Sequence, residues 1–326
     1  MKSNKRFAWQ RVVRASQRSA LLMLLAISVM QSRAVWAGIN EWTSLGPDGG
    51  PIHALSMDPH NPSVLYAVTS LGGVFKTVDG SASWGKSGAP LGILIFDPQN
   101  PDTLYAVSGY PDRATDYGIL KSTDNGASWT PANSGLPTYG GFQFPVSALA
   151  IDPQNPLTLY AGTAYGMFKS TDGGTSWNAI NSGLPKFPTP PGDTLPIDQN
   201  RYVAAYALLI DPQKPSTIYA VVDHFNAPGA LVFKSTNGGA NWSPAGSGLP
   251  ESSIVLAIDP QNSDTLYAGS RRGVFKSTNG GSHWGPVNSG LPDFPDEPYT
   301  FVSALSIDPQ DGATLYAAIR DRKSVV

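Results

Sequence analysis

The sequence predicts an all-β fold assembled from repeated four-stranded antiparallel units, and three observations predict it. Gly 34 and Pro 29 stand beside only 14% charged residues in a chain of 326, a composition that favours short strands and tight turns over helices. One phrase returns six times, as DPHNPSVLYA (58–67), DPQNPDTLYA (97–106), DPQNPLTLYA (152–161), DPQKPSTIYA (211–220), DPQNSDTLYA (259–268) and DPQDGATLYA (308–317). Its intervals of roughly 40 to 60 residues mark a repeat architecture. A second phrase interleaves with it five times, as KTVDGSASW (76–84), KSTDNGASW (121–129), KSTDGGTSW (169–177), KSTNGGANW (234–242) and KSTNGGSHW (276–284). With 41% hydrophobic residues the chain can bury a sizeable core.

Residues 1–37 differ from the rest. They hold seven basic residues (Lys2, Lys5, Arg6, Arg11, Arg14, Arg18, Arg33) and no acidic one, with ALLMLLAISVM at 20–30 and a small-residue end, VWA, at 35–37. A basic start, an apolar stretch too short to span a bilayer comfortably and a small-residue end are the parts of a secretory signal, so cleavage is expected after Ala37. An uncleaved anchor is the alternative. Removing those seven from the 22 Lys and Arg leaves 15 against 24 acidic residues, a formal charge of −9 on the exported part, which argues against nucleic acid as a partner. Cysteine is absent, which removes disulfides, thiolate metal ligands and thiol nucleophiles together. The expected state is an exported bacterial monomer, periplasmic, on the cell surface or extracellular, with no stable membrane span once the signal is cut.

From residue 38 to 320 each unit reads as four short strands. In the third unit they are VSALAID (146–152), TLYAGT (158–163), GMFKST (166–171) and SWNAIN (176–181), each bounded by Gly, Pro, Asn or Asp. One such sheet cannot bury both faces alone, so the units must pack face to face. Four-stranded repeats of this length arranged radially make a β-propeller, whereas a β-helix needs shorter repeats. At least six blades are expected, the last incomplete in this chain.

The stretch KSTDGGTSW joins a third strand to a fourth and reads as an architectural part, since a catalytic centre is rarely needed five times. Asp172 is expected to accept backbone N–H bonds across the turn, Gly174 to take a positive φ, and Trp177 to fill the gap between neighbouring sheets. The matching pairs elsewhere are Asp79 and Trp84, Asp124 and Trp129, Asn237 and Trp242, and Asn279 and Trp284. Asn keeps the acceptor oxygen and drops the charge, which a structural acceptor tolerates and a catalytic carboxylate does not. The Lys before each box reads as a solvated strand residue.

At these residues the chain resembles a known family. SxDxGxxW is the Asp-box of the bacterial-neuraminidase-repeat (BNR) propellers, which include sialidases, sortilin-type receptors, Asp-box glycoside hydrolases and photosystem II assembly propellers. Four of the five copies fit; the first departs, with Thr77 for Ser and Ser81 for Gly. The resemblance covers about 38–320 and implies a propeller fold without fixing an activity.

In an antiparallel blade the first-to-second and third-to-fourth turns share one face, while the second-to-third turns and the blade-to-blade links share the other. The repeated phrases on the first face barely change in length. The opposite face carries SGYPDRATDYG (108–118), TYGGFQFP (138–145), KFPTPPGDTLPIDQNRYVA (186–204), DHFNAPGA (223–230) and DFPDEPYT (293–300). Insertions gathered on one face of a repeat protein commonly mark its binding side. The candidate ligand-binding residues are therefore Tyr110, Asp112, Arg113, Asp116, Tyr117, Tyr139, Phe142, Asp198, Arg201, Tyr202, Asp223, His224, Phe225, Arg271, Asp296, Glu297 and Tyr299. Aromatic platforms beside hydrogen-bonding groups suit a sugar or an extended peptide; the alternative is solvated loops with a few aromatics tucked onto the rim.

The expected function is a binding or assembly module for a protein or polysaccharide partner. The second reading is a glycoside hydrolase, which needs two carboxylates across a cleft; the sequence does not choose the pair, so no catalytic residue is named. A sialidase is disfavoured, because those enzymes begin an arginine cluster near the N-terminus and EWTSLGPDGGPIHALSMD (41–58) has none. No metal and no cofactor is expected. GSASWGKS (80–87) matches the P-loop letters but lies in a box turn with no helix after Lys86. His53, His60, His224 and His283 fall in different blades or turns, and the boxes lack the closing Glu of an EF-hand.

The tail DRKSVV (321–326) is the translation of GAT CGG AAG AGC GTC GTG TAG, a sequencing-adapter string, and is expected to be non-native. EWTSLGP (41–47) resembles the fourth-strand phrase WTPANSGLP (129–137), so it is expected to close the ring onto a C-terminal blade.

Overall fold

The computed structural model describes residues 47, 52–69, 73–88, 92–108, 118–139, 142–143, 145–186, 202–222, 231–250, 253–291, 302–308 and 311–319. All belong to one compact unit, Pro47–Val326. They form strands and turns, with no helix among the described residues. The first blade is β1 (Ile52–Met57), β2 (Leu65–Thr69), β3 (Gly73–Thr77) and β4 (Gly85–Ser87); the second is β5 (Leu94–Phe96), β6 (Leu104–Ser108), β7 (Gly118–Ser122) and β8 (Thr130–Pro131). A short ribbon, β9 (Thr138–Tyr139) with β10 (Phe142–Gln143), precedes the third blade, β11 (Val146–Ile151), β12 (Leu159–Thr163), β13 (Gly166–Ser170) and β14 (Asn178–Ala179). The fourth is β15 (Ala205–Ile210), β16 (Ile218–Val222), β17 (Leu231–Ser235) and β18 (Ser243–Pro244), and the fifth β19 (Ser253–Asp259), β20 (Asn262–Ser270), β21 (Gly273–Ser277) and β22 (Gly285–Pro286). A sixth sheet pairs β23 (Val302–Ile307) with β24 (Leu315–Ile319). Five four-stranded antiparallel meanders and this two-stranded sheet make an all-β propeller.

The apolar phrases decide the packing. Each LYA strand lies second in its sheet and carries apolar side chains on both faces, so β12 and β16 are buried along their whole length. Five hydrophobic clusters each join one blade to the next; Trp177 of the third sits against Tyr105 and Ile119 of the second, and Trp242 of the fourth against Tyr160 and Met167 of the third. Among the described residues no cluster joins the first blade to the sixth sheet.

Hydrogen bonds tie the two kinds of repeated turn together. Gly173 donates its N–H to Leu157 O at 2.9 Å, Gly238 to Ser216 O at 2.8 Å and Gly280 to Asp264 O at 3.0 Å, so Asp-Pro turn and box lie side by side on one face. In the third box, Asp172 Oδ1 accepts from Ser170 Oγ at 2.7 Å and from the Ser176 N–H at 2.9 Å, and Asp172 Oδ2 accepts from Ser176 Oγ at 2.6 Å. The Ser176 hydroxyl first, then its N–H and the Ser170 hydroxyl, hold the Asp172 carboxyl down at about 2. Asn237 takes two of these three bonds through its amide oxygen, from Ser235 Oγ and the Asn241 N–H, both at 2.9 Å.

In four of the five copies the lysine before the box is not a solvated strand residue, a correction to the sequence reading. Lys121 Nζ stands 5.3 Å from the centroid of the Tyr105 ring and donates to Gly173 O of the next blade at 3.0 Å. Tyr105 Oη donates to the same carbonyl at 3.0 Å. Lys76 on Asn125 O (3.1 Å) and Lys234 on Gly280 O (2.8 Å) repeat the arrangement. The aliphatic stem lies along an aromatic ring, and the ammonium finds its partner across the interface.

Candidate functional site

The two faces differ in how their polar groups are used. Every described carboxylate, from Asp58 and Asp79 in the first blade to Asp308 and Asp311 in the sixth sheet, sits in an Asp-Pro turn or a box. There Asp58 Oδ1 accepts the His60 N–H at 2.8 Å, and Asp97, Asp152, Asp211 and Asp259 accept the equivalent N–H of Gln99, Gln154, Gln213 and Gln261 at 2.8 to 2.9 Å. The glutamine side chains then reach the next blade: Gln99 Nε2 to Gln154 O at 3.0 Å, Gln154 Nε2 to Pro212 O at 3.0 Å and Gln213 Nε2 to Pro260 O at 2.9 Å. Most of the polar side chains of this face are thus bonded within it; the exposed carboxylates of Asp102 and Asp264 are the exceptions.

On the opposite face the blade-to-blade links and the β6–β7 and β16–β17 connections leave the sheets. Tyr202 makes an isolated antiparallel bridge with Lys186, whose Nζ stands 5.5 Å from the Tyr202 ring centroid. Its ring also packs on the cluster between the third and fourth blades. Arg271 is exposed at the tip of the β20–β21 turn. Tyr139 and Phe142 face each other as backbone partners in the β9–β10 ribbon. Next to them Gln143 Oε1 is buried without a hydrogen-bond partner. Tyr110, Asp112, Arg113, Asp116, Tyr117, Asp198, Arg201, Asp223, His224, Phe225, Asp296, Glu297 and Tyr299 lie outside the described residues. Lys186 and Gln143 were not singled out from the sequence; the signal for both is their place inside two of the insertions on this face.

A surface hollow of about 300 Å³ lies at the edge of the first blade, lined by Lys76, Thr77, Val78, Ser83, Gly85, Lys86 and Ser87. It coincides with the P-loop-like letters, but Gly85–Ser87 is a strand and Lys76 is already bonded to Asn125. Among the described residues no group of His, Asp and Glu is placed to hold a metal ion, and no helix is long and apolar enough to cross a membrane.

No protein-family model matches the chain, and no curated protein matches it. Solved structures do. An ancestral GH74 enzyme is 20% identical over 84% of this chain and 35% of its own, with a TM-score of 0.60. The extracellular domain of a putative one-component system from B. thetaiotaomicron is 12% identical over 85% of this chain and 33% of its own, with a TM-score of 0.58. YCF48 bound to a D1 peptide is 16% identical over 84% of this chain and 76% of its own, with a TM-score of 0.53. The chain spans between 35% and 52% of the length of the GH74 enzymes it resembles. At these identities the likeness establishes the β-propeller fold.

Proposed function

We propose that this chain is an exported β-propeller that binds a protein or glycan partner through its loop-bearing face. One observation carries the reading: most described carboxylates and three glutamines on the box face are engaged in turns and blade-to-blade latches, while the long, variable connections leave the other face. A rigid scaffold with one largely closed face and one face of unequal loops suits recognition. The similarity to YCF48 bound to a peptide supports a protein partner, and that to GH74 enzymes supports a polysaccharide. Immobilised polysaccharide and peptide panels test it: Arg271→Ala should weaken the bound partner at least about tenfold with an unchanged melting point, and Tyr202→Ala should weaken it as much while lowering the melting point, because the ring packs on the cluster between the third and fourth blades. Binding that survives both, or that is lost through a change on the box face, overturns the assignment of the face.

The second reading, a glycoside hydrolase, is favoured by the GH74 likeness alone. A pair of catalytic carboxylates would come from the insertions of the loop-bearing face, which hold Asp112, Asp116, Asp193, Asp198, Asp223, Asp293, Asp296 and Glu297. Turnover of a chromogenic glycoside that disappears in one of the corresponding Asn or Gln variants would replace the binding reading with this one.

A further inference from the structure

Two of the five boxes hold an Asn–Gly pair where the others hold aspartate, Asn237–Gly238 in KSTNGGANW and Asn279–Gly280 in KSTNGGSHW. In such a pair the backbone nitrogen that follows reaches the side-chain amide carbon with the least hindrance, since glycine has no Cβ to obstruct it. Both asparagines are exposed, so water reaches them. The closed turn keeps the reacting atoms engaged elsewhere. Gly238 donates its N–H to Ser216 O at 2.8 Å and Gly280 to Asp264 O at 3.0 Å, which directs each nitrogen at the Asp-Pro turn of its own blade. Asn237 Oδ1 accepts from the Ser235 hydroxyl and the Asn241 N–H, and Asn279 Oδ1 from the Ser277 hydroxyl and the His283 N–H, all at 2.9 Å.

The preceding blade helps to hold each turn shut. Lys169 Nζ and Tyr160 Oη of the third blade donate to Gly238 O at 3.1 and 3.5 Å, and Lys234 Nζ and Tyr219 Oη of the fourth donate to Gly280 O at 2.8 and 3.0 Å. The clasped carbonyl belongs to the glycine whose nitrogen is the nucleophile, so turning that nitrogen toward the asparagine needs the clasp to open. The second box, which also contains an Asn–Gly pair, is built differently. There the clasped residue is Asn125 itself, whose O and Oδ1 both accept from Lys76 Nζ, at 3.1 and 3.0 Å, and the N–H of the buried Gly126 goes to Ser122 Oγ at 2.9 Å. The third box shows what a converted turn looks like: replacing the asparagine of KSTNGG by aspartate gives KSTDGG, its own sequence, in which Asp172 Oδ1 takes the corresponding two bonds.

We propose that Asn237 and Asn279 are sites of spontaneous deamidation, each gated by the lysine and tyrosine clasp of the preceding blade. When a box slips its clasp in a local opening, the glycine nitrogen attacks the asparagine Cγ. The N–Cγ bond forms, the Cγ–Nδ2 bond breaks, and the proton of the attacking N–H leaves with the side-chain nitrogen as ammonia. Water then opens the five-membered imide at one of its two carbonyls. Opening at Cγ restores the backbone and leaves aspartate, which closes the turn in the form of the third box. Opening at the backbone carbonyl leaves isoaspartate, whose additional main-chain atom does not match that turn. Asn125 is spared, because both its main chain and its side chain are fixed across the interface by Lys76.

The folded full chain, kept in mildly alkaline buffer and digested with trypsin at intervals, presents each site in its own peptide: 122–169 for Asn125, 235–271 for Asn237 and 277–320 for Asn279. Mass spectrometry follows the conversion of amide to acid. Loss is expected at Asn237 and Asn279, more slowly than in the same peptides isolated, while Asn125 keeps its amide. Lys169→Met should speed the loss at Asn237 at least about fivefold and leave Asn279 unchanged, and Lys234→Met should do the reverse. Should the second variant melt early, Tyr219→Phe, which takes only a hydroxyl from Gly280 O, must raise the rate at Asn279 alone. Asn279→Asp should melt with the parent, as a turn that closes again requires. Equal rates in the folded chain and the isolated peptides, no loss at either site in the folded chain, or a rise at both sites in each lysine variant overturns the proposal. So does an Asn279→Asp protein that melts well below the parent.

Discussion

The third box and the first box are one turn in two settings. In the third, Ser170 Oγ donates to Asp172 Oδ1 at 2.7 Å and the Ser176 N–H to the same oxygen at 2.9 Å; in the first, Thr77 Oγ1 and the Ser83 N–H bond Asp79 Oδ1 at the same two distances. The tryptophans differ. Trp177 is 3% exposed and roofed by the second blade, whereas Trp84 is only half-buried. Leu55 of β1 is 60% exposed while Leu149, at the same place in β11, is 7% exposed. Turn geometry is thus dictated within nine residues of sequence, and tryptophan burial by the flank of another sheet.

The largest expected effect tests that division directly. Trp177→Ala removes a buried indole and its bond to Ala132 O, and should cost roughly 3 to 5 kcal/mol in urea denaturation. Trp84→Ala should cost less than about half as much, since less area returns to water. Equal losses would break the comparison, because burial would then not be what separates the two boxes.

Next comes the clasp. Lys121→Met keeps the stem on the Tyr105 ring and removes the bond to Gly173 O, so a loss of about 1 to 2 kcal/mol is expected. Lys86→Met, at an exposed position of the first blade, should stay within about 0.5 kcal/mol. A Lys121→Met protein as stable as the parent would return that lysine to the solvated role the sequence suggests. A smaller gain is expected from Ser81→Gly. Ser81 holds φ at +76° where Gly174 holds +83°, a region that costs a side chain about 1 kcal/mol. The substitution should therefore raise stability by about 0.5 to 1 kcal/mol, and no gain would mean that the first turn differs in solution from the third.

The fold is legible because its signals are local and repeated. In the third blade the reading 146–152, 158–163 and 166–171 lands on Val146–Ile151, Leu159–Thr163 and Gly166–Ser170, since Asp-Pro and Gly residues end each strand. The fourth strand is shorter than read, Asn178–Ala179, because Trp177 turns into the interface before pairing begins. Lys121 was misread for a different reason: its acceptor lies 52 residues away in another blade, and an isolated strand pattern carries no such information. The candidate face is least legible. Its residues fall in connections that do not repeat, so there is no second copy against which to compare Tyr202 or Arg271, and the bridge of Lys186 to Tyr202 spans an insertion whose path the sequence does not state.

The smallest effect separates charge from geometry within the box. Asp172 sits at about 2 against an ordinary value of 3.8 because hydroxyl and N–H donors favour its ionised form. A folded value below the unfolded one means that the carboxylate contributes stability above about 3.8, and that this contribution is lost as the pH falls through about 2. Asn237 and Asn279 accept the two bonds made to Asp172 Oδ1 without titrating. Asp172→Asn should therefore match the parent at neutral pH, where the amide oxygen keeps the turn, and decline less steeply than the parent across that acid window. Asp172→Ala, with no acceptor, should melt earlier at every pH. Because this group is exposed to solvent, the difference is expected to be slight, and following Tm against pH for the three proteins side by side reveals it. Parallel acid limbs for the parent and the Asn variant would mean that the charge on the box contributes nothing and that geometry alone maintains the turn.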